Sequence, residues 1–204
     1  MSEIYAEEII RNKRKLEQAA SQEALKEALY QIENDISNGY VVVKYETLEL
    51  EERTILDGRL TMLLPTRFEE MNEELKAVKY PGPEGPEWVY SNESGDISIT
   101  FTLEKGEIKP KEVTEVRDVL SREMKRLYPA SAIEEKKTIG DGENLVSTFS
   151  MDIPLIDGDC YHLLFLRAVR DGLVIGSFDC SIKEKKQWQQ IMMQILETLK
   201  ETDA

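Results

Sequence analysis

The chain predicts an α+β fold, an antiparallel β-sheet sandwiched between helices, on three observations. Three apolar, strand-like runs at 145–156, 159–170 and 173–182 are joined at Asp157-Gly158 and Asp171-Gly172, and Asp-Gly suits the positive φ of a two-residue hairpin turn. The middle run is apolar at successive positions, Leu163-Leu164-Phe165-Leu166, so both faces of its sheet need cover. Beyond the third run, Trp188, Ile191, Met192, Ile195 and Leu199 recur at spacings of three and four, the apolar stripe of a helix that packs on one of those faces.

Side-chain parity follows from the strand period of two. With two central residues in each turn, Arg170 stands opposite Leu173 and Ile156 opposite Asp159. One face then carries Tyr161, Leu163, Phe165, Val169, Val174, Phe178, Cys180 and Ile182. The other carries Phe149, Met151, Ile153, Leu164, Leu166, Leu173 and Ile175, mixed with His162, Ser177 and Asp179. Cys160 and Cys180 fall on opposite faces, which predicts two free thiols and no disulfide.

In chain order, residues 1–38 read as a helical arm set apart from a body at 39–204. Ile9, Leu16 and Ala20 make one stripe; Leu25, Leu29, Ile32 and Ile36 make a denser one, with Ser21 placed to cap a second segment and Asn38-Gly39 to end it. Such an arm packs on its own body or offers its stripe to a partner or a second copy. Tyr40-Val41-Val42-Val43 opens a strand, and Asp57-Gly58 turns the chain into Leu60-Thr61-Met62-Leu63-Leu64. After Pro65, Thr66 is placed to cap a helix with Phe68, Met71, Leu75 and Val78 on one face. Pro81, Pro83 and Pro86, with Gly82 and Gly85 between them, make the next stretch extended or turn-rich. A hairpin follows, through Trp88-Val89-Tyr90 and the alternating Ile97-Ser98-Ile99-Thr100-Phe101. Lys109-Pro110 opens a helix with Val116, Val119, Leu120, Met124 and Leu127 on one face and Arg117, Arg122, Lys125 and Arg126 opposite. Residues 133–139 form a weaker strand, and Gly140-Asp141-Gly142 is a turn.

Charge narrows the function classes. A formal net charge of −14, from 40 acids against 26 bases, argues against nucleic acid and anionic membrane as partners, since both require a basic footprint. A basic protein partner fits. No run approaches the roughly 18 apolar residues of a membrane span, and the N-terminus is acidic, so the expected location is cytoplasmic.

The succession of strand, proline, helix, hairpin, longer helix, strand, meander and final helix resembles the PsbP-like superfamily. The residues that carry the likeness are Leu60-Thr61-Met62-Leu63-Leu64-Pro65 with Phe68, the hairpin at 87–103, Leu127-Tyr128-Pro129, the Asp171-Gly172 turn, and Ser177-Phe178 leading to Trp188. It spans about residues 59–201 and leaves the arm outside. That superfamily includes the photosystem PsbP proteins, a yeast Ran-binding protein and bacterial DcrB-type domains of unknown function, some of which chaperone secretion-system effectors. The resemblance implies a sheet between helices and a protein-binding role, and no residue-level site.

No enzyme signature stands against this. His162 shares a face with Ser177, Asp179 and Ser181, with Ser181 directly opposite and Asp179 diagonal, so a nucleophile, base and orienter can be drawn within one hairpin. Yet the chain has no G-x-S-x-G elbow, and strand amides are taken up by the ladder, leaving no oxyanion donors. Glu69, Glu70, Glu73 and Glu74 read as acids suited to a helix N-terminus, with no His or Cys to complete a metal site. No cofactor and no metal are expected. The expected function is a non-catalytic protein-binding adaptor or chaperone, acting through Tyr80, Pro81, Pro83, Pro86 and Trp88 or through the arm residues Leu25, Leu29, Ile32 and Ile36. The alternatives are a small-molecule binder or weak hydrolase on the His162 face, and self-association through the arm, the chain being a monomer or homodimer.

Overall fold

The computed structural model describes residues 33–202 apart from Tyr45, Glu84 and Asp157, together with Arg14, Gln18 and Ser21. Strands β1 (Tyr40–Val43), β2 (Glu46–Ile55) and β3 (Leu60–Pro65) precede the two-residue β4 (Glu69–Glu70) and helix α1 (Glu73–Lys79). Next come β5 (Trp88–Ser91), β6 (Ser98–Lys105), α2 (Val113–Leu127) and β7 (Ala132–Ile139). The meander is β8 (Val146–Ile153), β9 (Cys160–Val169) and β10 (Gly172–Ser181), followed by α3 (Lys185–Glu197) and a short β11 (Lys200–Glu201).

These strands form two antiparallel sheets. The larger has the order β4-β5-β6-β10-β9-β8-β7 and the smaller β1-β2-β3-β11. The meander at the centre of the large sheet is buried on both faces, as its apolar runs require. Tyr161, Leu163, Phe165, Val174 and Phe178 face a main core closed by the small sheet and by Trp188, Ile191, Met192 and Ile195 of α3. Phe149, Met151, Ile153, Leu164, Leu166 and Leu173 face a second core with Val113, under α2. The two thiols are free.

The predicted faces are observed, but the predicted pairing is displaced by two residues. Val169 pairs with Gly172 and Ile153 with Cys160, so the β9–β10 turn is Arg170-Asp171 and the β8–β9 connection is six residues long. An even displacement preserves every face, whereas a displacement of one would have inverted them. Gly172 opens β10, paired with both Val169 and Lys105, and β6 crowds it. A Cβ there would lie 3.2 Å from Lys105 Cα and closer still to the Glu104 carbonyl.

Three further expectations are corrected. The small sheet is a separate layer, where the sequence had suggested only additional strands. The segment after Pro65 is not yet helix: Phe68 N–H donates to Pro65 O at 2.9 Å and Met71 N–H to Val89 O at 2.7 Å, while the Arg53 guanidinium donates to the carbonyls of Thr66 and Phe68. Glu69 and Glu70 are thereby strand, and α1 starts at Glu73, capped by Asn72, whose Oδ1 accepts from Leu75 N–H. Phe68 and Met71 turn into the core, and Leu75 and Val78 are left 58% and 80% exposed. Finally, Arg117 is not on the solvated side of α2. It is 8% exposed and donates to Lys137 O, whereas Leu127 is 71% exposed.

The end of the arm that the structure describes is docked. The Asn34 side-chain amide both donates to and accepts from the Val42 backbone, Ile36 N–H donates to Gln194 of α3, and Ile36 packs on the main core. Leu25, Leu29 and Ile32 lie outside the described residues. Among the described residues, no helix is long and apolar enough to cross a membrane.

Candidate binding cleft

Two of the predicted regions meet on the α2-side face of the large sheet. The registered pair His162 and Asp179 is joined by a 2.6 Å hydrogen bond at His Nδ1, so Asp179, not Ser181, stands opposite the histidine. Ser177 Oγ donates to the other Asp179 oxygen at 3.1 Å and meets Thr100 Oγ1 at 2.8 Å. Over β6, Lys79 Nζ and Tyr80 Oη both bind Ser98 Oγ, at 3.0 and 3.1 Å. Tyr80, the first residue of the proline-rich stretch, is thus fastened to the sheet beside the histidine cluster. Pro81 and Pro83 stay exposed and Pro86 is half-buried, while Trp88 packs on the opposite face of the sheet, in the main core. Ser181 is exposed at the end of β10, apart from the cluster.

Electrostatics make this group a clamp. Burial pushes the Asp179 carboxyl up, but the adjoining His162, the Ser177 hydroxyl and Lys79 outweigh it and hold the carboxyl below the usual range. Burial pushes the Tyr80 hydroxyl up to about 12 and the Cys160 thiol up to about 11, the latter helped by Asp179, so both are neutral near pH 7. Ser177 donates to Asp179 and makes no hydrogen bond to His162, so the nucleophile–base contact that a hydrolase needs is missing from this arrangement. What it does is tie α1 and the start of the proline-rich stretch to the sheet.

The structure opens elsewhere. A cleft of about 1240 Å³ lies where the β1–β2 connection, residues 66–72, the β5–β6 turn and the start of α3 converge. Its floor is apolar, with Val43, Phe68, Met71, Ile97 and Trp188 all buried, and the Phe68 and Trp188 rings 5.9 Å apart. Its walls carry Glu46, Glu69, Glu70, Glu93, Asp96 and Glu184 against Lys44 and Arg67. Lys44 pairs with Glu184, and Arg67 with Glu46 at 3.6 Å. Leu75 stands at the mouth. Among the described residues, no group of three or more His, Cys, Asp or Glu is placed to hold a metal ion.

No protein-family model matches the chain, and no curated protein matches it in sequence. In structure it is similar to the cyanobacterial PsbP of Synechocystis sp. PCC 6803, with a TM-score of 0.54 and 14% identity over 75% of this chain and 92% of that one. The fold is PsbP-like. More distant likenesses are to LpqN, a protein involved in cell envelope biogenesis of Mycobacterium tuberculosis, and to a Bacteroides thetaiotaomicron protein. The first has a TM-score of 0.47 and 13% identity over 76% of this chain and 92% of LpqN. The second has 0.44 and 10% over 75% of this chain and 48% of that protein.

On this PsbP-like fold the cleft was not legible beforehand. Glu69 and Glu70 were visible as a carboxylate pair, but a local reading assigns them to a helix terminus. Ser98, Thr100 and Cys160 gave no sign of belonging to the histidine cluster, because each joins it only through strand register, and Lys79 reaches it from the end of α1.

Proposed function

We propose that the chain is a non-catalytic protein-binding module, an adaptor or chaperone, that seats a segment of its partner in the cleft. One observation carries this: an open cleft whose floor is a buried aromatic and aliphatic surface continuous with the main core. Its volume exceeds the roughly 300–1,000 Å³ of small-molecule pockets, which favours a peptide segment as occupant. Buried aromatic anchoring surfaces within a polar rim are how protein interfaces concentrate binding energy. A cytoplasmic location belongs to the same proposal.

The test is site-specific photo-cross-linking in native cells, with the photoreactive residue at Leu75 on the cleft mouth or at Val119, which is 48% exposed on α2, outside the cleft. Discrete protein adducts from Leu75 and none from Val119 are expected. Equal adducts from both positions, or none from Leu75, overturn the proposal.

A further inference from the structure

Resting on that reading of the cleft, we infer the chemistry of the segment it takes: a basic stretch of polypeptide, lysines or arginines on both sides of one apolar or aromatic anchor. The cleft holds six carboxylates against two cations, and both cations are already engaged by Glu184 and Glu46. Glu69, Glu70, Glu93 and Asp96 remain, and among the described residues none of the four forms an ion pair. They come from two separate stretches of the chain, β4 and the β5–β6 turn, which β5 holds side by side through the Glu69–Ser91 and Glu70–Tyr90 pairs. Four exposed carboxylates around an apolar floor, with Lys79 beside Asp96 as their nearest cation, leave the rim with a surplus of negative charge that draws a cationic ligand.

The floor supplies a second, independent pointer. Trp188 lines the cleft and is 1% exposed, yet its indole N–H has no acceptor among the described residues. Buried donors are nearly always paired, and this orphan lies just beneath the cleft floor, where an acceptor reaches it once a ligand seats against the rings and shifts them. A peptide brings one at every residue, in its backbone carbonyls. The anchor side chain then meets the Phe68 and Trp188 surface while the flanking cations meet the carboxylate walls.

Fluorescence anisotropy on the full chain tests this with three short labelled peptides that share one central phenylalanine and differ only in flanks of lysine, glutamine or glutamate. The lysine peptide is expected to bind at least about tenfold more tightly than the glutamine peptide, the glutamate peptide weakest, with the gap narrowing as salt rises. Glu69→Gln/Glu70→Gln/Glu93→Gln/Asp96→Asn is expected to erase the preference. The charge-matched control Glu104→Gln/Glu107→Gln/Glu115→Gln/Glu143→Gln, on surface outside the cleft, keeps it. If both quadruple variants weaken the lysine peptide equally, attraction to the chain's overall charge explains the binding and the inference falls. If the glutamine peptide binds as well as the lysine peptide and Leu75→Arg blocks both, the cleft still seats protein but its basic preference is wrong. If none of the peptides binds and Leu75 gives no cross-links, the inference and the reading beneath it fall together.

Discussion

Gly176, in the middle of β10, has no turn to make; its place is fixed by what lies over it. It pairs directly with Phe165 on β9, and a Cβ there would come within 2.7 Å of the ring's Cε1 and nearer still to Cζ and Cε2. The ring is fully buried and stands edge-on to Phe101 with centroids 5.7 Å apart, so it has nowhere to swing. Gly176→Ala therefore overpacks the main core, at about 1–3 kcal/mol. The gain from replacing a strand glycine, about 0.5–1 kcal/mol, offsets only part of this. A net loss of about 1–2 kcal/mol is expected in urea denaturation, or roughly 2–8 °C in melting temperature for a chain of this size. The diagnostic measurement is the double-mutant cycle with Phe165→Leu. Removing the ring removes the clash, so Gly176→Ala becomes neutral or stabilising in that background. An unchanged penalty with leucine at 165, or a Gly176→Ala protein as stable as the natural one, would refute the claim that the ring fixes the glycine.

Three other expectations follow from the site and its supports. Asp179 has its carboxyl held below the usual range, so its contribution to stability is present above about pH 4, the unfolded-state value, and is lost as pH falls through the depressed native value. The stability gap between the natural protein and Asp179→Asn should thus be present at about pH 5 and shrink in stronger acid; a gap that stays flat from about pH 5 to about pH 3 would contradict the pairing with His162. Cys160, with its thiol pushed up to about 11 by burial and by Asp179, should be alkylated roughly two orders of magnitude more slowly than an unperturbed thiol near pH 8, and faster in Asp179→Asn, when labelled peptides are quantified by mass spectrometry. Arg53→Ala leaves the Thr66 and Phe68 carbonyls without their guanidinium donor, about 1–3 kcal/mol per buried orphan, and should raise hydrogen exchange across 66–71, the wall of the cleft, more than in the α2 region.

Local chemistry settled a good deal of this protein. The strand period of two determined which meander residues share a face, and the spacing of Trp188, Ile191, Met192 and Ile195 determined a helix, because both are properties of the chain's own geometry. The same parity kept Cys160 and Cys180 apart. Register was beyond its reach, since Gly172 is paired both with Val169 and with Lys105 of β6, a strand far away in sequence. The failed helix after Pro65 has the same origin: Thr66 is a competent cap, but Arg53 takes its carbonyl and that of Phe68, and β5 takes the Met71 amide. Arg117 shows the effect in reverse, a cation buried because the β7 carbonyl of Lys137 receives it. Only the tertiary structure decided the second sheet and the cleft. Both depend on which distant segments meet, and the carboxylates at 69, 70, 93 and 96 acquire a common environment only when β5 brings their two stretches together.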